Sequence, residues 1–259
     1  MSPTLISRTP RNDIIVRLFV GIIGGIAIWW GISGFSVFWQ QSSVERVAGR
    51  IIAGDPFGTT ILAQQLRTIE STERAAWCRP SALHGAAVIQ LRMLEVAAST
   101  NDHKPAHGEF KSLTDGIRSS LSCSPADPFL WLVLYWAENA RNGPRPEYFK
   151  DLRLSYQLGP NEGWIGVKRN GIAVANFDEL PSDLATNAIM EFSNLVRNRF
   201  YTEAISVLVN VDGKIRDRLL QSLGSIDRDQ RAAFAKKIYD KGYDFLVPGI
   251  VSPEEHPKR

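Results

Sequence analysis

The chain has 259 residues, 44% of them hydrophobic, which is enough for one membrane segment and about 220 further residues in one folded domain. Its formal net charge of +3 results from 30 basic and 27 acidic residues that are spread along the sequence. Because no block of like charges occurs, the composition argues against a nucleic-acid partner.

Residues 18–39 form an apolar segment of 22 residues without a charged side chain. As an α-helix this segment would be about 33 Å long, which is the length needed to cross a bilayer. The sequence that follows, QQSSVERVAGR, lacks the small-x-small cleavage site of a signal peptide. We therefore predict an uncleaved transmembrane helix over residues 18–39, preceded by a short cytoplasmic segment, residues 1–17.

The flanking charges predict the orientation of this helix. Arg8, Arg11 and Arg17 precede it closely, whereas Arg46 and Arg50 lie farther from it on the other side. The bias favours a cytoplasmic N-terminus, because positive charge is retained on that side. Together with the absence of Asn-x-Ser/Thr sequons, it predicts a single-pass protein of the bacterial inner membrane with its C-terminal domain in the periplasm.

Gly21 and Gly25 form a GxxxG pair inside the predicted span. Small residues at this spacing let two membrane helices approach closely, so the pair is a candidate contact with another membrane helix. The alternative is a chance occurrence of a frequent pattern.

Cys78 and Cys123 are the only cysteines. An even number of cysteines in a domain outside the cytoplasm favours a disulfide between them. The bond would close a loop of about 45 residues, whereas the alternative is two buried thiols. Two cysteines at this spacing exclude a CxxC motif and a thiolate metal cluster.

The rest of the chain shows apolar residues at helical spacing, interrupted by Pro and Gly breaks every 12 to 25 residues or so. We predict an all-α periplasmic domain over residues 40–247 and a flexible C-terminal tail over residues 248–259. One helix is predicted to begin at Ser182, after Pro181, and another after Asp227, which has the spacing of a capping box with Gln230.

The sequence also repeats itself. IRSSLSCSPADPFLWLVL lies beside LRLSYQLGPNEGWIGV, so that Pro125 and Pro160 are 35 residues apart and Trp131 and Trp164 are 33 apart. Both stretches predict a helix, a proline, a short turn and a helix that carries a tryptophan. A further fragment, NRFYTEAISVL at residues 198–208, has the pattern of a turn followed by the start of a second repeat helix.

This layout resembles the tetratricopeptide-repeat family, whose period is about 34 residues. The resemblance covers about residues 117–211 and lacks the full W-x2-L-G-x2-Y pattern. It implies that the domain is a solenoid of helical hairpins, with an irregular helical bundle as the alternative.

Catalytic and metal-binding patterns are weak. His103 and His107 lie four residues apart, but Pro105 between them argues against a helix that would present both to a metal. Glu70-Ser71 resembles the catalytic pair of lytic transglycosylases, but the Gly-Leu-Met-Gln stretch of that family does not follow. We therefore predict no catalytic, cofactor or metal site.

Aromatic and basic residues suggest a binding groove instead. Trp164 is followed by Lys168 and Arg169, and Arg153 precedes it on the neighbouring predicted helix. These side chains are candidates for contacts with a peptide or a glycan, although aromatic residues at helical spacing also form the core of repeat proteins.

The leading hypothesis is a membrane-anchored scaffold for protein–protein interaction in a cell-envelope assembly. A general resemblance to small anchored helical proteins of bacterial polysaccharide synthesis or export suggests that context. One alternative is an accessory subunit docked through its transmembrane helix. Another is a glycan-acting hydrolase, for which Glu70, Glu95 and Glu138 are the candidate carboxylates.

Overall fold

The computed structural model describes residues 10–52, 54–55, 57–73, 80–99 and 107–250. Over these residues the protein consists of α-helices, turns and short 3-10 segments and has no β-strand, which confirms the predicted all-α class. The helices are α1 (Pro10–Ile52), α2 (Thr59–Glu73), α3 (Pro80–Ser99), α4 (His107–Cys123), α5 (Pro128–Asn142), α6 (Phe149–Leu158), α7 (Gly163–Val174), α8 (Ser182–Arg197), α9 (Tyr201–Val209), α10 (Gly213–Ser222) and α11 (Arg228–Asp240).

The first half of α1 is a long apolar helix. The stretch Ile14–Ile32 overlaps the predicted span, and all its side chains are exposed. It is long and apolar enough to cross a membrane, a property that membrane anchors and signal sequences share.

The second half of α1 belongs to the folded domain. Val44 and Ala48 are buried against α3, at the position of Gly85. A Cβ atom at Gly85 would lie 2.8 Å from Cγ1 of Val44, so glycine is what allows the two helices to approach this closely. Because α1 is continuous from Pro10 to Ile52, one helix joins the apolar stretch to the domain.

The helices of the domain stack in two layers. Along the chain, α3 packs against α4, α4 against α5, α5 against α6, and α7 against α8. In addition, α3, α5, α7 and α9 contact one another in succession along one layer, which we call the odd layer, and α6, α8 and α10 do so along the other. The C-terminal helix α11 packs against α8 and α9.

The start of α5 shows how the sequence sets these helices. Asp127 precedes Pro128, and its Oδ1 accepts hydrogen bonds from the N–H groups of Phe129 and Leu130 at 3.0 and 3.1 Å. Its Oδ2 lies 2.6 Å from Nδ1 of His84, which ties α5 to α3. Burial acts to raise the pKa of Asp127, but these hydrogen bonds outweigh it and hold the pKa below its usual value.

The two helix starts predicted from the sequence have different outcomes. Helix α8 begins at Ser182, directly after Pro181, as predicted. Helix α11 begins after Asp227, whose side chain accepts from the N–H of Asp229. The predicted capping box is wrong, because Gln230 donates to the carbonyl of Arg197 at the end of α8, at 3.2 Å. A tertiary contact has replaced the local one.

The repeated stretches occupy equivalent places in the stack. Pro125 and Pro160 lie in the turns before α5 and α7, and Trp131 and Trp164 lie in the first turns of those two helices. The fragment 198–208 contains the turn into α9, which packs against α7 in the odd layer. Helix α9 also packs against α8, the helix before the turn, so the turn and the following helix occur where the sequence pattern predicts them.

Candidate functional site

An apolar cavity of about 390 Å³ lies on the odd layer, where α3, α5 and α7 meet. Helix α5 contributes three lining residues and α7 contributes four, and in each helix they lie on one side because positions three or four apart share a helix face. The lining residues are Leu91, Leu132, Val133, Trp136, Val167, Lys168, Gly171 and Ile172. We call this cavity, together with its extension described next, the odd-layer groove.

A second cavity of about 330 Å³ extends the groove and shares Trp136, Gly171 and Ile172 with the first. Its additional lining is more polar and includes Asn139 and Asn176. The side-chain amide of Asn139 is buried beneath this end of the groove, beside the phenol of Tyr135.

Behind the groove, α6, α7 and α8 are held together by a buried ion pair. Arg169 on α7 is only 1% exposed, and its Nε and Nη2 donate to Oε1 of Glu191 on α8 at 2.9 and 2.6 Å. The phenol of Tyr156 donates to the other carboxylate oxygen at 3.1 Å, and its ring lies 4.2 Å from the guanidinium carbon.

The remaining donors of Arg169 are also paired. Nη1 donates to the carbonyl and the hydroxyl of Ser155, and Nη2 donates to the carbonyl of Gly159. Burial raises the pKa of Glu191 in spite of the adjacent guanidinium, and it raises the pKa of Tyr156 well above its usual range. The network acts as a buried clamp on the backbone of the α6–α7 turn.

Three of the four predicted groove residues lie apart from the odd-layer groove. The side chain of Arg169 is buried and makes its hydrogen bonds inside the fold, so it is not placed to contact a ligand in a surface groove as predicted. Arg153 pairs with Asp183 on the surface, its Nε at 2.8 Å from Oδ2. Trp164 packs on Phe129 with ring centroids 5.1 Å apart. Only Lys168 lines the groove.

The other sequence predictions fall partly outside the described residues. Cys78 lies there, so its bond to Cys123, the last residue of α4, stays a prediction. Among the candidate carboxylates, Glu138 is buried and accepts hydrogen bonds from Arg118 and from Asn142.

The remaining predicted residues lie on the exposed part of α1 or outside the described part of the structure. Gly21 and Gly25 lie on the exposed part of α1, and nothing in the described structure comes within 4 Å of a Cβ atom built at either. His103 lies outside the described residues, as do the side chains of His107, Glu70 and Glu95.

The apolar groove residues were not predicted as a site. The stretch FLWLVLYWA on α5 reads as a buried helix, and most of it is buried. Trp136 is partly exposed because α3 and α7 leave a gap beside α5. The sequence of any one helix does not predict such a gap.

Comparisons of the chain with protein-family models, curated proteins and solved structures find no match, so the helical class and the apolar helix rest on the sequence and structure alone.

Proposed function

We propose that the chain is a membrane-anchored periplasmic scaffold whose odd-layer groove binds a segment of a protein partner in a cell-envelope assembly. The observation that carries this proposal is the groove itself, which is apolar along α3, α5 and α7 and ends at the polar residues Asn139 and Asn176. In this proposal the chain binds its partner and catalyses no reaction.

The chemistry of the groove suits a polypeptide segment. Apolar side chains of a partner fit between Trp136 and Ile172, and polar groups of the partner can lie at the more polar end of the groove, near Asn176. Lys168 is exposed at the rim of the apolar cavity, where its positive charge favours an acidic residue of the partner.

The stacking of the helices supports a tetratricopeptide-like solenoid. Helices α5 and α7, which carry the equivalent tryptophans, begin at Pro128 and Gly163, a spacing of 35 residues. Solenoids of this kind expose an extended face built from the same helix of successive hairpins, and the groove lies on such a face.

The anchor supports a role at the membrane surface. Helix α1 carries the apolar stretch Ile14–Ile32 and, farther along, Val44, which is buried in the domain. Because both belong to one continuous helix, we propose that α1 holds the domain close to the periplasmic surface of the inner membrane. An envelope assembly that makes or exports polysaccharide is the context we propose.

A charge-reversal series tests the groove. The full chain and its variants are purified from native membranes in mild detergent, and co-purifying proteins are quantified by mass spectrometry. Lys168→Glu and Ile172→Glu are each expected to lower the yield of a groove partner at least fivefold. Lys236→Glu on α11 and Ile61→Glu on α2 are the matched controls at exposed positions, and they should leave the yield unchanged. Equal yields from groove and control variants would refute the groove as the binding site.

A second candidate function is that of an accessory subunit docked through the apolar helix. It is favoured by the uncovered surface of α1, where Gly21 and Gly25 have open space around them. Replacing residues 1–41 by an unrelated anchor distinguishes the two proposals. Partners that remain bound support the groove, and partners that are lost with the native helix, and also with Gly21→Leu/Gly25→Leu, support helix docking.

A further inference from the structure

A polar pocket of about 270 Å³ lies at the edge of the solenoid, between the α6–α7 turn and the C-terminal end of α8. It shares no lining residue with the odd-layer groove. Its walls come from the turn residues 160–163, the first turn of α7, the last turns of α8 and Phe200.

The floor of this pocket is a carboxylate whose position is fixed. Glu191 is 8% exposed, and its two oxygens are held by Arg169 and Tyr156. Gly166 faces it, and a Cβ atom there would lie 3.2 Å from Oε1 of Glu191. Glycine at this position therefore leaves space beside the carboxylate, whose Oε2 accepts only from Tyr156 and retains a lone pair for a ligand.

Polar groups at the rim of this pocket have no hydrogen-bond partner among the described residues. The side chains of Asn161 and Glu162 are exposed and form no hydrogen bond there. Glu162 precedes α7 without capping it, so the first N–H groups of that helix remain available as donors. The ring of Phe200 forms an apolar side of the same space, within 3.4 Å of a Cβ atom built at Gly163.

The lining carries two carboxylates and no basic side chain. Glu191 is neutralised from inside the fold by Arg169, whereas Glu162 forms no ion pair within the described residues. The negative lining disfavours an anion. A neutral ligand with several hydroxyl groups can donate to both carboxylates and brings no second charge that must be desolvated.

We propose that this pocket binds one neutral sugar ring of a glycan. Each sugar hydroxyl both donates and accepts a hydrogen bond, which matches a site that offers carboxylates, carboxamides and helix N–H groups together. The apolar C–H face of the ring packs on Phe200. This site is separate from the groove and does not depend on it.

Saturation-transfer difference NMR on the full chain tests the proposal. The detergent must carry no sugar headgroup, and the probes are glucose, galactose, N-acetylglucosamine and, as a charged comparison, glucosamine. A single ring is expected to bind with a Kd on the order of 1 mM, as a ligand of about a dozen non-hydrogen atoms can achieve. The variants are Glu162→Ala, Glu162→Gln and, as the control in an exposed turn, Glu147→Ala.

We expect a neutral sugar to show saturation transfer that falls at least fivefold in Glu162→Ala, is kept within about twofold in Glu162→Gln, and does not change in Glu147→Ala. No signal from any neutral probe would overturn the proposal, as would a signal equal in all variants, because the sugar would then bind elsewhere. Binding of glucosamine alone, lost in Glu162→Gln, would overturn it in favour of an ammonium site.

Discussion

The buried carboxyl group of Asp151 is expected to make the fold less stable as pH rises. Asp151 lies in the first turn of α6 and is 4% exposed, and its Oδ1 has no hydrogen-bond partner within the described residues. Burial raises its pKa from 3.8 to about 6, with Glu138 adding to the rise and Lys150 and Arg118 opposing it.

The size of the effect follows from the two pKa values. A rise from 3.8 to about 6 corresponds to roughly 3 kcal/mol, at about 1.4 kcal/mol per pKa unit. Because the folded state binds the proton more tightly than the unfolded state, the contribution of Asp151 to stability is fully present below pH 3.8. It is lost as pH rises through about 6.

Replacing Asp151 by Asn removes this titration and keeps the shape of the side chain. At pH 7.5 we expect the variant to be more stable than the parent by about 2 kcal/mol, since losing a negative charge in the first turn of α6 offsets about 0.3–1 kcal/mol of the gain. At a pH of about 4 the two proteins should be nearly equal in stability.

Urea denaturation followed by tryptophan fluorescence at both pH values measures this difference. Asp178→Asn, at an exposed aspartate in the turn before α8, is the matched control and should change stability by less than about 0.5 kcal/mol at either pH. A variant that is equally stable or less stable than the parent at pH 7.5 would refute the reasoning.

Three further predictions concern the clamp, the α5 cap and the cysteines. Arg169→Met leaves Glu191 buried without its partner and should lower the free energy of unfolding by about 3–5 kcal/mol in chemical denaturation. Asp127→Ala removes the cap of α5 and should cost about 1–2 kcal/mol, seen as a lower Tm. Cys78 and Cys123 should react with a maleimide only after reduction of the denatured chain, and reduction should cost on the order of 4 kcal/mol.

Each of these predictions has its own control. Arg169→Met combined with Glu191→Met should be less destabilised than Arg169→Met alone, because no buried charge is left unpaired. Asp127→Asn should keep most of the stability of the parent, since asparagine also caps helices. Labelling of both cysteines without reduction would show that the predicted bond is absent.

Several features could be predicted from the sequence because they depend on nearest neighbours along the chain. The charge-free stretch of α1 predicts a membrane-crossing helix from composition and length. Pro181 marks the start of α8, and the proline–tryptophan spacing marks equivalent turns before α5 and α7. Helical period, capping and turn chemistry act over a few residues, and these features agree with the structure.

Other features depended on the tertiary structure. The pattern around Trp164 suggested a basic groove, but Arg169 faces inward because Glu191, 22 residues away, supplies a buried carboxylate. Gln230 bonds to the end of α8 instead of completing a capping box. Local pattern does not specify the direction in which a side chain points when its partner comes from another helix.

The odd-layer groove is the clearest case. Leu91, Trp136 and Ile172 belong to three helices and line one cavity only because the hairpins stack in two layers. The sequence alone determined the helical class and the long apolar N-terminal helix, since both follow from local composition and periodicity. Only the tertiary structure decided where a binding surface forms, because a gap between helices depends on how the helices pack and not on any one of them.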